Sequence, residues 1–387
     1  MRNRIRRLRH NERGMTFVIV GLGFMAFMAA TSLAVDVGML MTARTQAQNA
    51  ADAGALSGAV ALAFNDFNNR TSTGPAVQSA MNTAKSNRMM GESPSVLTTD
   101  VTFPVGPSGQ SNRVKVDVFR TEERGNPVPT LIGPIFGMPT ASIHATATAE
   151  VSPANAMQCV KPFMIPDRWK ENNTPNNSTF DKYTNKGVIR PDADVYHDAN
   201  QGNYTGYTTQ RDTGQRLTLR AGTGDNINPS FYYSWKMPGD TGGDFYRENI
   251  AKCNWEWIVY DPNHPRLLIQ EPGNKQGPTL QGIRDLIDKD PTARWDTGCK
   301  CVKDSAFTGQ SPRVFPIPLF DPEYYADGKA SGRVADFKLA NFLGFFADYV
   351  ESNGKIHGII TTIVGAVDPN GVPAPDGMFS VAIRLVK

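Results

Sequence analysis

The feature that most constrains the fold is an uncharged run of 21 residues from Met15 to Val35. A helix needs about 20 apolar residues to cross ~30 Å of hydrocarbon at ~1.5 Å per residue, so the run predicts a transmembrane helix over 15–35. No other segment reaches the ~18 apolar residues of a candidate span. The chain is therefore expected to cross a membrane once.

The flanking charges predict the orientation of that helix. The tail 1–14 carries six arginines against one acid, Glu12, and Asp36 follows the run. Because positive charge is retained in the cytoplasm, we expect the tail there and everything after Asp36 outside. A cleaved signal peptide is the alternative, with Ser32 and Ala34 as small residues of a cleavage site; the length of the run favours an uncleaved anchor. The arginines are Arg2, Arg4, Arg6, Arg7, Arg9 and Arg13.

The exported part is close to electrically neutral. Without residues 1–13, the chain retains 34 basic and 36 acidic residues. A nucleic-acid-binding protein needs a concentrated basic surface, so this balance excludes that class. About 350 residues beyond the membrane exceed one typical domain, and two domains are expected.

An Ala-rich segment, Thr42–Phe67, follows the apolar run without a proline, which predicts one helix from Met15 to about Asn65. Rows of small residues on one face predict close packing against helices of other subunits. A bulkier stripe on the other face suits packing on a sheet. The small rows are Ala43, Ala47, Ala51, Ala55 and Ala59 beside Ala50, Gly54 and Gly58; the stripe is Leu56, Val60, Phe64 and Phe67.

The next segment predicts a small sheet behind this helix. A helix is expected near Val77–Met90, followed by strands with period-two alternation at 113–118 and 143–151 and an apolar connector at Leu131–Phe136. The predicted fold class is α+β: a transmembrane helix continues into a pilin-like helix packed on a small antiparallel sheet over 36–151. A mainly β domain follows over 152–387.

The N-terminal module resembles the TadE/TadG-like proteins of Flp (tight adherence) pilus assembly. The shared marks are the basic start ending at Gly14, a single span, the stretch 34–38 (AVDVG) and the stretch 48–53 (QNAADA). Three later segments resemble the long TadG-type members: Cys159–Trp169, Glu271–Thr279 and Ser311–Pro322. Ile19 stands where a processed prepilin usually carries Glu, and no Asp-x-Ser-x-Ser metal motif is present, so neither prepilin processing nor that metal site is expected.

The resemblance implies a structural accessory component, not an enzyme, of a tight adherence pilus or a related secretion apparatus. It would sit in the bacterial inner membrane with its C-terminal domain in the periplasm. Its partners would be membrane lipid and other pilus-assembly proteins, with pilin, a secretin or a second copy of the chain as candidates. No cofactor and no nucleic acid are expected. A membrane-tethered periplasmic hydrolase and a surface adhesin are the alternative functions.

The C-terminal region predicts mostly strands. A short helix is expected over Thr279–Asp288, and the prolines in Val314–Phe320 favour an edge strand. Strands around 337–345 and 356–367 would be joined by an Asn353-Gly354 hairpin turn. A second turn at 368–371 would lead to a final strand, so that the C-terminus ends an antiparallel meander.

Residues able to carry catalysis or bind metal are few. The histidines are scattered, and no nucleophile elbow or phosphate-binding loop occurs. Asp192, Asp194 and Asp198 resemble part of a calcium loop that lacks its glycine and its late glutamate, which favours a solvated acidic loop. Trp255 and Trp257 are expected in the core, with a ligand-stacking platform as the alternative. The histidines are His10, His144, His197, His264 and His357.

The four cysteines, Cys159, Cys253, Cys299 and Cys301, all lie in the exported part. An even number in an oxidising periplasm predicts disulfides, and the residues alone allow three pairings. The family resemblance favours Cys159–Cys253, because the Cys299-Lys300-Cys301 element resembles an addition to the family pattern. Cys299 and Cys301 would then be free, closed into a small ring, or bound to metal. A four-cysteine zinc site lacks the usual Cys-x-x-Cys spacing.

Overall fold

The structure is a computed structural model that describes residues 12–386, except 107–108, 110, 173–176, 223–225, 308–309, 333–335, 369–371, 373 and 376. The basic tail up to Asn11, with His10, lies outside the described residues. So does most of the turn predicted at 368–371.

The helices and strands alternate irregularly along the chain. The helices are α1 (Glu12–Phe64), α2 (Pro75–Ser86), α3 (Thr209–Asp212), α4 (Gly243–Ala251), α5 (Gln276–Lys289) and α6 (Pro322–Ala330). The first strands are β1 (Val101–Thr102), β2 (Arg113–Arg120), β3 (Val128–Pro129), β4 (Thr140–Ala141), β5 (Ile143–Pro153), β6 (Ala156–Met157), β7 (Phe163–Pro166), β8 (Arg216–Ala221) and β9 (Phe231–Ser234). The others are β10 (Ile258–Val259), β11 (Leu267–Ile269), β12 (Arg294–Asp296), β13 (Cys301–Lys303), β14 (Val314–Phe320), β15 (Asp336–Val350), β16 (Ile356–Thr361), β17 (Ile363–Val364) and β18 (Ser380–Val386).

Helix α1 is one continuous helix of 53 residues, as predicted. At ~1.5 Å per residue it is about 80 Å long. Its composition explains the length, because alanine is the best helix former and no proline interrupts it. It ends at Phe64, just before a loop rich in Asn, Thr and Gly that leads to Pro75 at the start of α2.

The second half of α1 packs on α2 and on a five-stranded sheet with the order β1-β2-β5-β18-β17. Strands β2 and β5 pair antiparallel from Arg113 opposite Glu150 to Arg120 opposite Ile143. Alternate residues of both strands are buried, in keeping with the predicted period of two. A single hydrophobic core lies between α1, α2 and this sheet.

The C-terminal strand β18 belongs to this first sheet. It pairs antiparallel with β5 from Val381 opposite Pro153 to Val386 opposite Thr148. The prediction of a meander ending within the C-terminal domain is therefore wrong. The alternation of apolar and polar residues alone could not place this strand, since a half-buried strand suits any sheet with an open edge. The sheet thus contains strands from both of the predicted segments, 36–151 and 152–387.

Six strands of the C-terminal region close into a barrel. Their order is β15-β14-β7-β9-β8-β16, and β16 pairs again with β15. Neighbouring residues of one strand face different cores: Phe163 and Ile165 of β7 join one cluster and Met164 joins another. Helices α4 and α5 cover the first of these clusters through Ile250 and Ile283.

The hairpin predicted at Asn353-Gly354 is confirmed. Strands β15 and β16 pair antiparallel on either side of it, and Gly354 has φ +96°, a conformation that favours glycine. The helix predicted at Thr279–Asp288 is also present, as α5, with Ile283 and Leu286 buried.

Strand β14 is a strand of the barrel wall with a paired neighbour on each side, and is not the edge strand that its prolines predicted. It pairs with β15 along its whole length and with β7 at Leu319 and Phe320. The carbonyl of Pro316 accepts a hydrogen bond from the backbone N–H of Lys161 (3.0 Å). The main-chain groups of Pro316 therefore point away from β15, toward the side with the shorter pairing. A proline at that position removes no donor from the β14–β15 ladder.

The small-residue face of α1 packs inside its own chain, not against another subunit. Ala47, Ala51 and Ala55 have no exposed surface. A Cβ on Gly54 would lie 2.9 Å from the Ala84 Cβ of α2, and one on Gly58 would lie 2.8 Å from Val114 Cγ1 of β2. The predicted contact between subunits is wrong, because α2 and the sheet already occupy this face. Of the bulky stripe, Val60 is exposed, whereas Leu56, Phe64 and Phe67 are partly buried at the margin of the core.

Two glycines of α1 provide a matched test of this packing. We expect Gly58→Ala to destabilise the protein by ~1–3 kcal/mol, because overpacking outweighs the helix-propensity gain of up to ~1 kcal/mol. Gly38→Ala should be neutral or stabilising, because nothing lies within 4 Å of its Cβ. Thermal unfolding of the full chain in detergent measures both effects. Equal melting temperatures of the two variants would contradict the packing described here.

Candidate functional site at the long helix and its junction with the barrel

The first half of α1 is an apolar rod that makes almost no contact with the rest of the protein. Every side chain described between residues 14 and 35 is exposed. The most apolar stretch has a mean hydropathy of 2.2 and none of it is buried. The helix is long and apolar enough to cross a membrane.

The second half of α1 is joined to α2 by a small polar cluster. The hydroxyl oxygens of Ser57 and Ser79 lie 2.7 Å apart, and the Thr83 hydroxyl donates to Ser57 at 2.8 Å. These short side chains bond across two helices that approach closely. Their hydrogen bonds are directional, so they help to fix the relative position of two helices whose interface is otherwise made of alanine and glycine.

The far end of α1 is fixed to the barrel. The Thr362 hydroxyl donates to the carbonyl oxygen of Ala63 at 2.7 Å in a buried position. Lys300 forms an ion pair with Asp66 at 3.3 Å. These four residues also line a cleft, together with other residues of the helix end, of the sheet and of the barrel. The acid and the base in this cleft neutralise each other, which suits a structural contact and not catalysis.

Two disulfides lie in the C-terminal region, after residue 151. Cys159, just before β7, is bonded to Cys253, just after α4, and Cys299 is bonded to Cys301. Lys300, between the second pair, has φ +53°. The small ring thus holds the residue that forms the ion pair with Asp66.

The acidic residues of the calcium-like segment have protein partners. Arg190 contacts both carboxylate oxygens of Asp192 at 3.1 Å. Asp194 is buried and accepts from the backbone N–H groups of Asn172 and Asp181, both at 2.8 Å. Asp198 accepts from the N–H of Asn200 at 2.9 Å. In the described part of the chain, no three His, Cys, Asp or Glu side chains come together as metal ligands.

The histidines described here pair with separate neighbours. His144 lies 3.2 Å from Asp117 and His264 lies 3.2 Å from Asp261. His357 lies 2.6 Å from Glu351. His197 faces Gln201.

The prediction that Trp255 and Trp257 pack in the core is wrong. Their exposed fractions are 75% and 47%. They lie between α4 and β10 in a segment without regular structure, so the alternation assumed for a strand does not apply.

Sequence reasoning missed Asp167, a fully buried carboxylate beside β7. Its oxygens accept hydrogen bonds from the Tyr204 and Tyr196 hydroxyls (2.7 and 3.0 Å) and from the backbone N–H groups of Tyr207 and Arg168 (2.9 and 2.8 Å). Burial raises the pKa of Asp167 to about 6, and these donors oppose the rise. With four donors around it and no exposed surface, Asp167 holds loops together and has no access to a substrate.

Lys161 was also missed. It lies two residues after Cys159, is buried, and its Nζ donates to the carbonyl oxygen of Lys252 at 2.9 Å. Burial, together with the nearby positive charge of Lys289, lowers the pKa of Lys161 to about 7. No sequence signal marks either Asp167 or Lys161, since their burial depends on segments at least 29 residues away.

The exposed apolar half of α1 and its alanine-rich second half together form the segment that relates this chain to a known family. Residues 14–61 match the family described as "Putative Flp pilus-assembly TadE/G-like". This TadE/G-like segment comprises nearly all of α1, and it confirms the resemblance inferred from the sequence. No curated protein and no solved structure matches the chain significantly. The family-like segments after residue 61 lie outside the match.

The two disulfides should differ in their effect on stability. A bridge across 94 residues removes much more chain entropy from the unfolded state than one across 2. We expect Cys159→Ser with Cys253→Ser to cost ~4–5 kcal/mol, and Cys299→Ser with Cys301→Ser only ~1–2 kcal/mol. Denaturant unfolding under oxidising conditions measures both. Peptide mapping that joins Cys159 to Cys299 or Cys301 would contradict the pairing.

Lys161 should make stability rise with pH. Its pKa is about 7 when folded, compared with ~10.4 when unfolded, so between these values the unfolded chain binds more protons. The free energy of unfolding should then increase above pH 7 by at most ~1.4 kcal/mol per pH unit from this residue. Urea unfolding between pH 7 and 9 measures the slope. Lys161→Met should flatten it, whereas Lys236→Met, at an exposed lysine, should leave it unchanged; equal slopes in both variants would refute the assignment.

Proposed function

We propose that this protein is a single-pass inner-membrane accessory component of a Flp (tight adherence) pilus or a related secretion apparatus. The N-terminal tail lies in the cytoplasm and the barrel lies in the periplasm. The protein works by anchoring and by protein contacts, without catalysis. It corresponds to the long TadG type, because more than 300 residues follow the TadE/G-like segment.

The observation that carries the proposal is the change in surroundings along one unbroken helix. Within residues 14–61, the part up to Val35 is apolar and exposed, and the part from Ala43 onward is buried on one face against its own domain. An apolar helix surface of this length needs a hydrocarbon environment. The same helix thus joins the bilayer to a folded domain with no flexible linker between them.

The rigidity of α1 determines what the protein does mechanically. The helix is held by α2, by the sheet and by the Thr362–Ala63 hydrogen bond at its far end. A displacement of the barrel is therefore transmitted to the membrane-embedded half. Because the small-residue face is occupied internally, contacts with other single-span components use the exposed surface of the span.

An arginine pair in the span tests both the anchor and the pilus assignment. We expect Leu22→Arg with Phe24→Arg to release the protein from membranes, because each central arginine costs ~2.5–3.5 kcal/mol on insertion. Met41→Arg is the matched control, at an exposed position on the same helix beyond the span. Wild type and control should co-purify with tight adherence machinery from detergent extracts of crosslinked cells, and the double variant should not.

Two results would contradict the proposal. Soluble wild-type protein beginning near Val35 would identify a cleaved signal peptide. Membrane-bound wild type that never co-purifies with pilus machinery would refute the pilus role while leaving the anchor in place.

A further inference from the structure

An uncharged loop with exposed apolar side chains lies between β3 and β4. Residues 131–139 read LIGPIFGMP. Leu131, Ile135, Phe136 and Met138 have exposed fractions of 64, 78, 59 and 61%. Four large apolar side chains this close together form a patch that soluble surfaces rarely expose without a partner.

Hydrogen bonds across its base hold this loop in shape. The Thr130 N–H donates to the Pro139 carbonyl (3.1 Å), and the Met138 N–H donates to the Gly133 carbonyl (2.9 Å). The Thr130 hydroxyl donates to the Met138 carbonyl at 2.7 Å. Gly133 has no room for a Cβ, which would clash with Met138 and Thr130. The apolar side chains therefore project from a rigid frame.

Asp36 attaches this frame to α1. Its carboxylate accepts backbone N–H groups of three successive loop residues: Leu131 at 2.8 Å, Ile132 at 3.0 Å and Gly133 at 2.9 Å. Asp36 is buried by the contact, although the residues just before it are exposed. A carboxylate bound by several N–H groups forms strong, directional hydrogen bonds.

The position of Asp36 determines the height of the loop relative to a bilayer. Asp36 is the first residue after the uncharged run, so it lies only ~1.5 Å along the axis beyond Val35. The loop bonded to it is then level with the outer end of the span. Apolar side chains that project from that level reach the boundary between headgroups and acyl chains.

We propose that the loop Leu131–Met138, here termed the interfacial loop, inserts its apolar side chains into the outer leaflet of the membrane that α1 crosses. The occupant of the patch is lipid, because the loop carries no charge and continues the apolar surface of the span. This second contact fixes the tilt and rotation of α1, and with them the orientation of the barrel. The inference rests on the proposed membrane insertion of α1.

Spin labels on the full chain in liposomes test the interfacial loop. A nitroxide would be attached through a non-natural amino acid at Ile135 or Phe136, in vesicles of phosphatidylethanolamine and phosphatidylglycerol. Val20 serves as the reference inside the span. Val364 is the matched control: it is exposed and apolar, but two residues from Thr362, which bonds Ala63 about 40 Å along α1 from Asp36.

The measurement is the accessibility of each label to oxygen, which partitions into lipid, compared with a water-soluble nickel chelate. We expect the oxygen-to-nickel ratio at positions 135 and 136 to exceed that at 364 by several-fold and to lie below that at 20. Ratios at 135 and 136 equal to that at 364, with position 20 in lipid, would overturn the proposal and leave a protein partner as the occupant of the patch. An aqueous ratio at position 20 would overturn the membrane anchor itself, and the lipid contact of the loop with it.

Discussion

The close packing of the small-residue face of α1 against α2 and the first sheet is the contact on which the rest of the structure depends. Alanine and glycine let the helix axes approach until Gly54 and Gly58 have no space for a Cβ. The Thr362–Ala63 hydrogen bond and the Lys300–Asp66 ion pair attach the far end of the helix to the barrel, and this contact holds the rest of its second half. With it, the chain becomes a rod with an apolar half and a domain bound along the other half.

The sequence predicted the elements of this arrangement but not the partner of the small face. The period-two strands at 113–118 and 143–151 and the unbroken helix followed from local pattern. Small residues permit close approach of any helix, and pattern does not distinguish a helix of the same chain from that of a neighbour. The structure shows that the partner is a complementary row in α2, Ala76, Ala80 and Ala84 at intervals of four.

The other differences between prediction and structure arise from contacts between distant residues. Strand β14 is paired on both sides despite its prolines, because the main-chain groups of Pro316 face away from β15, toward the side of β7, where the pairing is shorter. Asp167 and Lys161 are surrounded by loops far away in sequence, so their shifted pKa values have no local signal. Asp36 reads as the end of a span, and only the fold shows that it binds a loop 95 residues later. Local pattern therefore predicts which elements form, and long-range contacts decide their surroundings.

The pairing of β18 with β5 has a consequence for the order in which this protein matures after synthesis. The N-terminal helix is made first, but the sheet beneath it lacks an inner strand until residues 380–386 have been made. An incomplete chain would present the open edge of β5, where strands of other molecules can add. The first sheet can therefore close only after β18 has been made, more than 200 residues after β5.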